Sequence, residues 1–428
     1  MSKTVINIRK LGAIRDSKIT ISPLMIFSGE SGLGKSYVAF LVHYLYRIVL
    51  EGNRISGFFT KLEWDYEKFP SDKNSNELSV SVAMLEKWLD NDAVEYLREI
   101  TGNNKLEADI SFKLPSYKNG TLKFSYKKDS FVSSDKEIVS TLFELDKYGF
   151  RVQDGARKLG VLPWTKLLVD LLKDILFNDN RLEQTFTMVP GRGALLNIDF
   201  KFQESVKNNA GMYAEFLNDW QVVKEIGAFD NVDQSLYQRL ITINGGTIVQ
   251  TEEAVFLQIG ADKLLPISAA ASSIKELAPL AMLYEKIPAD RLSILFEEPE
   301  AHLHPLKQVA MADFVVEAVS KGTHMQITTH SDYFIRRLND CIMLEKIRKS
   351  DEQEYARLKK AIKFDGDDTL DPSIVSAYLL VRKGDENVVI KQQNISKGIP
   401  YDTFHDVLVD NFNASMEINR VYNKMSND

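Results

Sequence analysis

Eight consecutive residues, Gly29-Glu30-Ser31-Gly32-Leu33-Gly34-Lys35-Ser36, follow the spacing G-x-x-x-x-G-K-[ST]. Glycines let backbone N–H groups curl around an anion, the lysine reaches β- and γ-phosphates, and the serine hydroxyl suits Mg2+. That combination is chemistry for a nucleoside triphosphate, with ATP and Mg2+ as the expected pair. A second group closes the apolar run Leu292-Ser293-Ile294-Leu295-Phe296 with Glu297-Glu298-Pro299-Glu300. Carboxylates at the C-terminal edge of a buried strand stand where α/β sheets hold ligands. One acid there can hold Mg2+ through water, and the next can position or deprotonate an attacking water. A third group, Ile327-Thr328-Thr329-His330-Ser331, sets a histidine just past another apolar run. Taken alone, the acids also read as a solvated turn and His330 as a satisfied core or surface histidine.

Positioning these groups requires particular elements. Val5-Ile6, Ile19-Thr20-Ile21 and Leu24-Met25-Ile26-Phe27 predict strands that run straight into the glycine-rich loop, and a helix is predicted from about Lys35. Further along, the pattern predicts a helix from Ser272, a buried strand Leu292 to Phe296, a helix from about Pro305 and a strand His324 to Thr329. Residues 185 to 260 read as strand-like runs with glycine punctuation, around Gly245-Gly246 for example.

Phe296-Glu297-Glu298-Pro299-Glu300-Ala301-His302-Leu303-His304-Pro305 resembles the Walker B motif and adjoining D-loop of RecF-like and OLD-like ATPases, a branch of the ABC/SMC class found in bacterial antiphage defence systems. By that resemblance Glu297 takes the metal position with Ser36, although the more usual residue there is Asp, and Glu298 takes the catalytic position. His330 resembles the switch histidine that contacts the γ-phosphate, and joins Lys35 and Glu298 as a catalytic residue. Ser268 to Leu277 occupies the place of the ABC signature. Ala271-Ser272-Ser273 stands there where many relatives have Ser-Ser-Gly, so the resemblance gives Ser272 as a nucleotide ligand offered in trans to a second subunit. Val189-Pro190-Gly191-Arg192-Gly193 is similar to a Pro-Ala-x-Arg element of these ATPases, with Arg192 reaching phosphate, buttressing a dimer or simply closing a turn.

The resemblance implies an α/β fold, an ABC-type P-loop ATPase head in which a mixed sheet carries flanking helices and an antiparallel β subdomain. Residues 1–50 and 185–345 would form the head. Residues 51–184 would form a largely helical insertion lobe, with helices Val82 to Ile100 and Trp164 to Phe177 and a hairpin Ile110 to Tyr126 turning at Asn119-Gly120. Residues 346–428 read as an α/β tail, a hairpin of Tyr378-Leu379-Leu380-Val381 with Asn387-Val388-Val389-Ile390 followed by a helix Tyr401 to Tyr422, serving as a docking element or as the last layer of the head. No heptad segment long enough for an SMC arm is visible.

The chain has 428 residues, 44% of them hydrophobic, and a formal net charge of -7, so any nucleic-acid contact must be local. Lys113, Lys118, Lys123, Lys127 and Lys128, interleaved with Phe112, Tyr117, Phe124 and Tyr126, offer one such patch; a strand with one solvated face gives the same pattern. Cys341 is the single cysteine, and the chain shows neither a signal core nor a membrane-spanning run, so a cytoplasmic protein is expected. Asp365-Gly366-Asp367-Asp368 reads as a turn rather than a TOPRIM acidic cluster, because 98 residues follow His330 and such a domain needs about a hundred and a separate upstream glutamate. The expected function is an ATPase of the ABC type, a sensor or scaffold switch of an antiphage system that dimerises around ATP and controls a separate effector such as a nuclease. A RecF-like DNA repair ATPase is the alternative, and a transporter ATPase ranks last.

Overall fold

The computed structural model describes residues 3–69, 75–115, 120–133, 136–153, 158–196, 211–251, 254–261, 263–362, 369–400 and 402–425. Its strands are β1 (Val5–Leu11), β2 (Ile14–Thr20), β3 (Leu24–Ser28), β4 (Ser75–Ser81), β5 (Ala108–Lys113), β6 (Thr121–Ser133), β7 (Lys136–Leu145), β8 (Tyr148–Gln153) and β9 (Gln184–Met188). Then come β10 (Thr247–Gln250), β11 (Val255–Ile259), β12 (Lys263–Pro266), β13 (Leu292–Glu297), β14 (His324–Thr328), β15 (Val375–Lys383) and β16 (Asn387–Gln392).

A nine-stranded sheet in the order β5-β1-β2-β16-β15-β3-β14-β13-β9 forms the head. β3, β13 and β14 are buried along their whole length, as the unbroken apolar runs require of strands with parallel neighbours on both sides. β1 and β2 alternate instead, and pair antiparallel toward the sheet edge. β10, β11 and β12 make the small antiparallel subdomain that was expected.

Helix α1 (Lys35–Leu50) is buried on nearly every side, because it lies between the sheet and the insertion. The insertion supplies α2 (Gly52–Lys61), α3 (Val82–Thr101) and α4 (Leu162–Phe177). It is not mainly helical: the four-stranded antiparallel sheet β4-β6-β7-β8 packs Phe124, Tyr126 and Phe143 edge-on against Trp164. The expected hairpin across Ile110 to Tyr126 does not form. β5 pairs with β1 in the main sheet, whereas β6 pairs with β4 and β7. Alternation told which face of each strand is buried, and said nothing about its partner.

That burial also removes the stacking platform for nucleic acid, since Phe112, Phe124 and Tyr126 point into the core. Lys113 pairs with Glu86 at 3.1 Å, Lys123 with Glu77 at 3.0 Å and Lys127 with Asp129 at 3.4 Å, while Lys128 sits over the Tyr66 ring at 5.4 Å. Tyr117, Lys118, Asn119 and the Asp365 to Asp368 turn lie outside the described residues.

The remaining helices are α5 (Arg192–Leu195), α6 (Met212–Glu225), α7 (Gln234–Asn244), α8 (Ser272–Lys286), α9 (Pro305–Ser320), α10 (Asp332–Ser350), α11 (Glu352–Ala361) and α12 (Asp402–Met425). α6 and α7 replace strand-like runs expected in 185–260. Gly245, at φ 75°, is the left-handed residue that closes α7, so the glycine pair marks a helix end rather than a strand break. The hairpin of the tail forms as expected, but β15 pairs in parallel with β3, placing 375–392 in the middle of the head. No helix among the described residues is long and apolar enough to cross a membrane.

Candidate active site

β3 delivers the chain to Gly29, whose φ of 127° is open to glycine, and a Cβ there would stand 2.5 Å from the Leu380 carbonyl oxygen of β15. Gly32 and Gly34 also carry positive φ, at 78° and 91°. Gly34 caps α1 without a side-chain acceptor, so the first N–H groups of the helix face the loop they begin. Lys35 is buried, and its Nζ donates to the Gly29 carbonyl at 3.0 Å and the Glu30 carbonyl at 2.9 Å. Burial lowers its pKa, against the pull of Glu298, Glu297 and Glu300.

β13 brings Glu297 to the same sheet edge, two strands away from β3. The Ser36 hydroxyl donates to Glu297 Oε2, while the buried Oε1 has no hydrogen-bond partner. Burial pushes Glu297 up to about 7; Glu298 adds to the rise, and the Ser36 bond, Arg192 and Lys35 oppose it. Glu298 follows at a left-handed φ of 48°, with its N–H donating to the Thr328 carbonyl at 3.0 Å. A non-glycine residue in that conformation stores on the order of 1–3 kcal/mol, which surrounding structure must offset. Here the turn directs the chain out of the strand while β14 holds its amide.

His330 leaves the end of β14 just before α10, whose Ser331 cap accepts from the Phe334 N–H at 3.0 Å. Burial lowers its pKa, Lys35 lowers it further and Glu298 opposes, so the imidazole shares one electrostatic neighbourhood with both. Glu300, given no role from sequence, fixes this corner: one oxygen accepts from the Thr329 hydroxyl at 2.9 Å and the His330 N–H at 2.6 Å. Its other oxygen is buried without a partner, and burial raises its pKa against those bonds. The Glu297-x-x-Glu300 spacing was the available signal. It carried no meaning until the strand end was seen to turn.

Lys35, Ser36, Glu297, Glu298 and His330 are thus brought together from both ends of the chain. Ser272 is not part of that cluster. It stands exposed at the start of α8, and among the described residues no hydrogen bond ties it to the loop Gly29 to Ser36. Arg192 does not reach toward phosphate either: it is fully buried and donates to backbone carbonyls.

The AAA ATPase domain family matches residues 166–335. The head has the make-up of a P-loop ATPase. The matched span holds Arg192, Ser272, Glu297, Glu298 and His330, and the loop at 29–36 lies outside it. No curated protein matches the chain. Among solved structures, an SMC head bound to the C-winged-helix domain of ScpA is 11% identical with a TM-score of 0.36, covering 92% of this chain and 98% of that one. The SMC head domain from Thermotoga maritima is 10% identical with a TM-score of 0.33, covering 92% and 100%. An Smc head with an extended coiled coil bound to the C-terminal domain of ScpA from Pyrococcus furiosus is 10% identical with a TM-score of 0.34, covering 95% and 98%.

The residues fit Mg2+. A hydroxyl and a carboxylate, both hard oxygen donors, face each other at the loop, and Glu297 keeps a buried oxygen without a donor. Among the described residues no group of three or more His, Cys, Asp or Glu could hold a metal alone. A magnesium ion at such a site takes its remaining ligands from phosphates and water.

Proposed function

We propose that this chain binds and hydrolyses ATP and uses the cycle as a switch for a separate effector protein. The observation that carries the reading is the convergence of Lys35 and Ser36 with Glu297, more than 250 residues later in sequence, at one sheet edge. The glycine-rich loop and Lys35 bind the phosphates. Ser36 and Glu297 would hold Mg2+, which neutralises charge on the β- and γ-phosphates when bound. Glu298 orients the attacking water and takes its proton, a role worth roughly 10^2–10^4-fold in rate. The neutral His330 imidazole donates to the γ-phosphate, and Glu300 keeps its backbone in place.

Ser272, exposed at a helix start, is the group a second copy would offer to the bound nucleotide. Two heads would then close on two ATP molecules and part after hydrolysis. Service as the sensor or scaffold subunit of an antiphage system rests on the resemblance of Phe296 to Pro305 to OLD-like ATPases. The DNA repair reading gains nothing from the paired lysines of the insertion. The test is Glu298→Gln with ATP in light scattering: a dimer that Ser272→Arg abolishes is expected, and an ATP-loaded monomer would remove the sandwich.

A further inference from the structure

Arg192 has 0% of its surface exposed and joins three elements through their carbonyls. Nε donates to the Glu276 carbonyl of α8 at 2.9 Å, and Nη1 donates to Val189, just past β9, at 2.9 Å and to Glu297, the last residue of β13, at 3.1 Å. The Glu276 carboxylate lies 3.3 Å from Nε, and its other oxygen accepts the Gly193 N–H at 3.1 Å. The Phe296 ring lies 5.1 Å from the guanidinium. Pro279 inside α8 has no N–H to give the Lys275 carbonyl, so the start of α8 lacks one internal tie, and the bonds from outside fall on the next residue, Glu276.

A buried ion pair is weak ground for stability, since apolar residues of similar volume often serve as well. What a guanidinium adds is a rigid fork of donors, which no ammonium or apolar side chain reproduces. We propose that Arg192 is a positioning residue for hydrolysis, a yoke that fixes the turn of α8 bearing Ser272 to the edge of β13 bearing Glu297 and Glu298. The proposal rests on the ATPase reading given above. A shift of α8 when a second copy engages Ser272 is passed to the Glu297 backbone through one side chain. Gly193 belongs to the same device, because a Cβ there would stand 3.0 Å from both Glu276 Oε1 and Lys275 Cβ and push that turn away.

The experiment compares Arg192→Lys and Gly193→Ala with the unaltered protein in three measurements: affinity for a fluorescent ATP analogue, kcat, and melting temperature. Arg192→Lys keeps the charge and loses the fork; Gly193→Ala keeps Arg192 and moves the turn. The expected result is affinity within about threefold and kcat lower by about a hundredfold per folded molecule, the size of effect a displaced catalytic group gives. Unchanged kcat in both folded variants overturns the yoke and leaves the ATPase reading standing. Affinity and kcat falling together, in step with the folded fraction, also overturns it. Unaltered protein that binds no nucleotide ends the ATPase reading, and the yoke with it.

Discussion

The two ends of α1 each meet buried charge, and they treat it in opposite ways. At the C-terminal end, Arg47 lies 2.6 Å from Glu51 and 2.7 Å from Glu215, and pairs with Asp219, which also accepts the Thr187 N–H at 2.8 Å. Burial works against the Arg47 charge, but Asp219, Glu215 and Glu51 outweigh it, and a cation at a helix C-terminus is favoured besides. At the N-terminal end, three glutamates crowd Lys35, and Glu297 and Glu300 each keep a buried oxygen with no donor. One end closes on its own partners and holds the helix against β9 and α6. The other leaves carboxylate oxygens without donors, beside the groups proposed to hold ATP and Mg2+.

The comparison breaks most visibly at the closed end. Asp219→Asn should cost about 3 kcal/mol, because the buried Arg47 loses one of its three carboxylates while Glu215 and Glu51 remain, and the folded protein should keep its ATP affinity within a few-fold. Denaturant unfolding with parallel nucleotide titration reads both. Lys35→Ala should show the reverse, with ATP affinity down at least a hundredfold, about 3 kcal/mol, and a melting temperature little changed. Two variants that behaved alike would make the two ends equivalent.

A smaller effect concerns His43, midway along α1, whose Nδ1 faces Gln326 Oε1 at 3.1 Å and whose Nε2 faces the Thr187 hydroxyl at 3.2 Å. Burial, with Arg47 beside it, pushes its pKa down to about 3. The folded chain therefore refuses a proton that the unfolded chain accepts below about pH 6.5. Its contribution is constant above that pH and is lost as pH falls toward 3. Between pH 6.5 and 5 the His43→Gln variant should lose roughly 1–2 kcal/mol less stability than the unaltered protein, by denaturant titration. Equal slopes would mean that His43 is not held neutral. The smallest effect is expected at Lys123→Ala, an exposed pair with Glu77, which should change stability by under about 1 kcal/mol and leave any duplex DNA binding unaltered.

Legibility in the sequence follows the same division. The loop from Gly29 to Ser36, the strand ending at Glu297 and the histidine after β14 are local patterns, and each stands where the pattern put it. The Arg47 cluster draws on positions 47, 51, 215 and 219, with no spacing to announce it. β15 beside β3 and β5 beside β1 are likewise pairings across long stretches of chain. Apolar alternation fixes which face is buried and leaves the neighbour open. Arg192 was visible as a residue, but its contacts depend on three carbonyls meeting at one point, those of Val189 just past β9, Glu297 of β13 and Glu276 of α8.

On the proposed function, the open end of α1 is a hydrolytic site in which Glu298 acts on water. Single-turnover hydrolysis of radiolabelled ATP by Glu298→Gln, with affinity measured on the same preparation, tests that directly. Affinity equal to that of the unaltered protein with cleavage slower by at least a hundredfold is the predicted result; cleavage at the unaltered rate would contradict it.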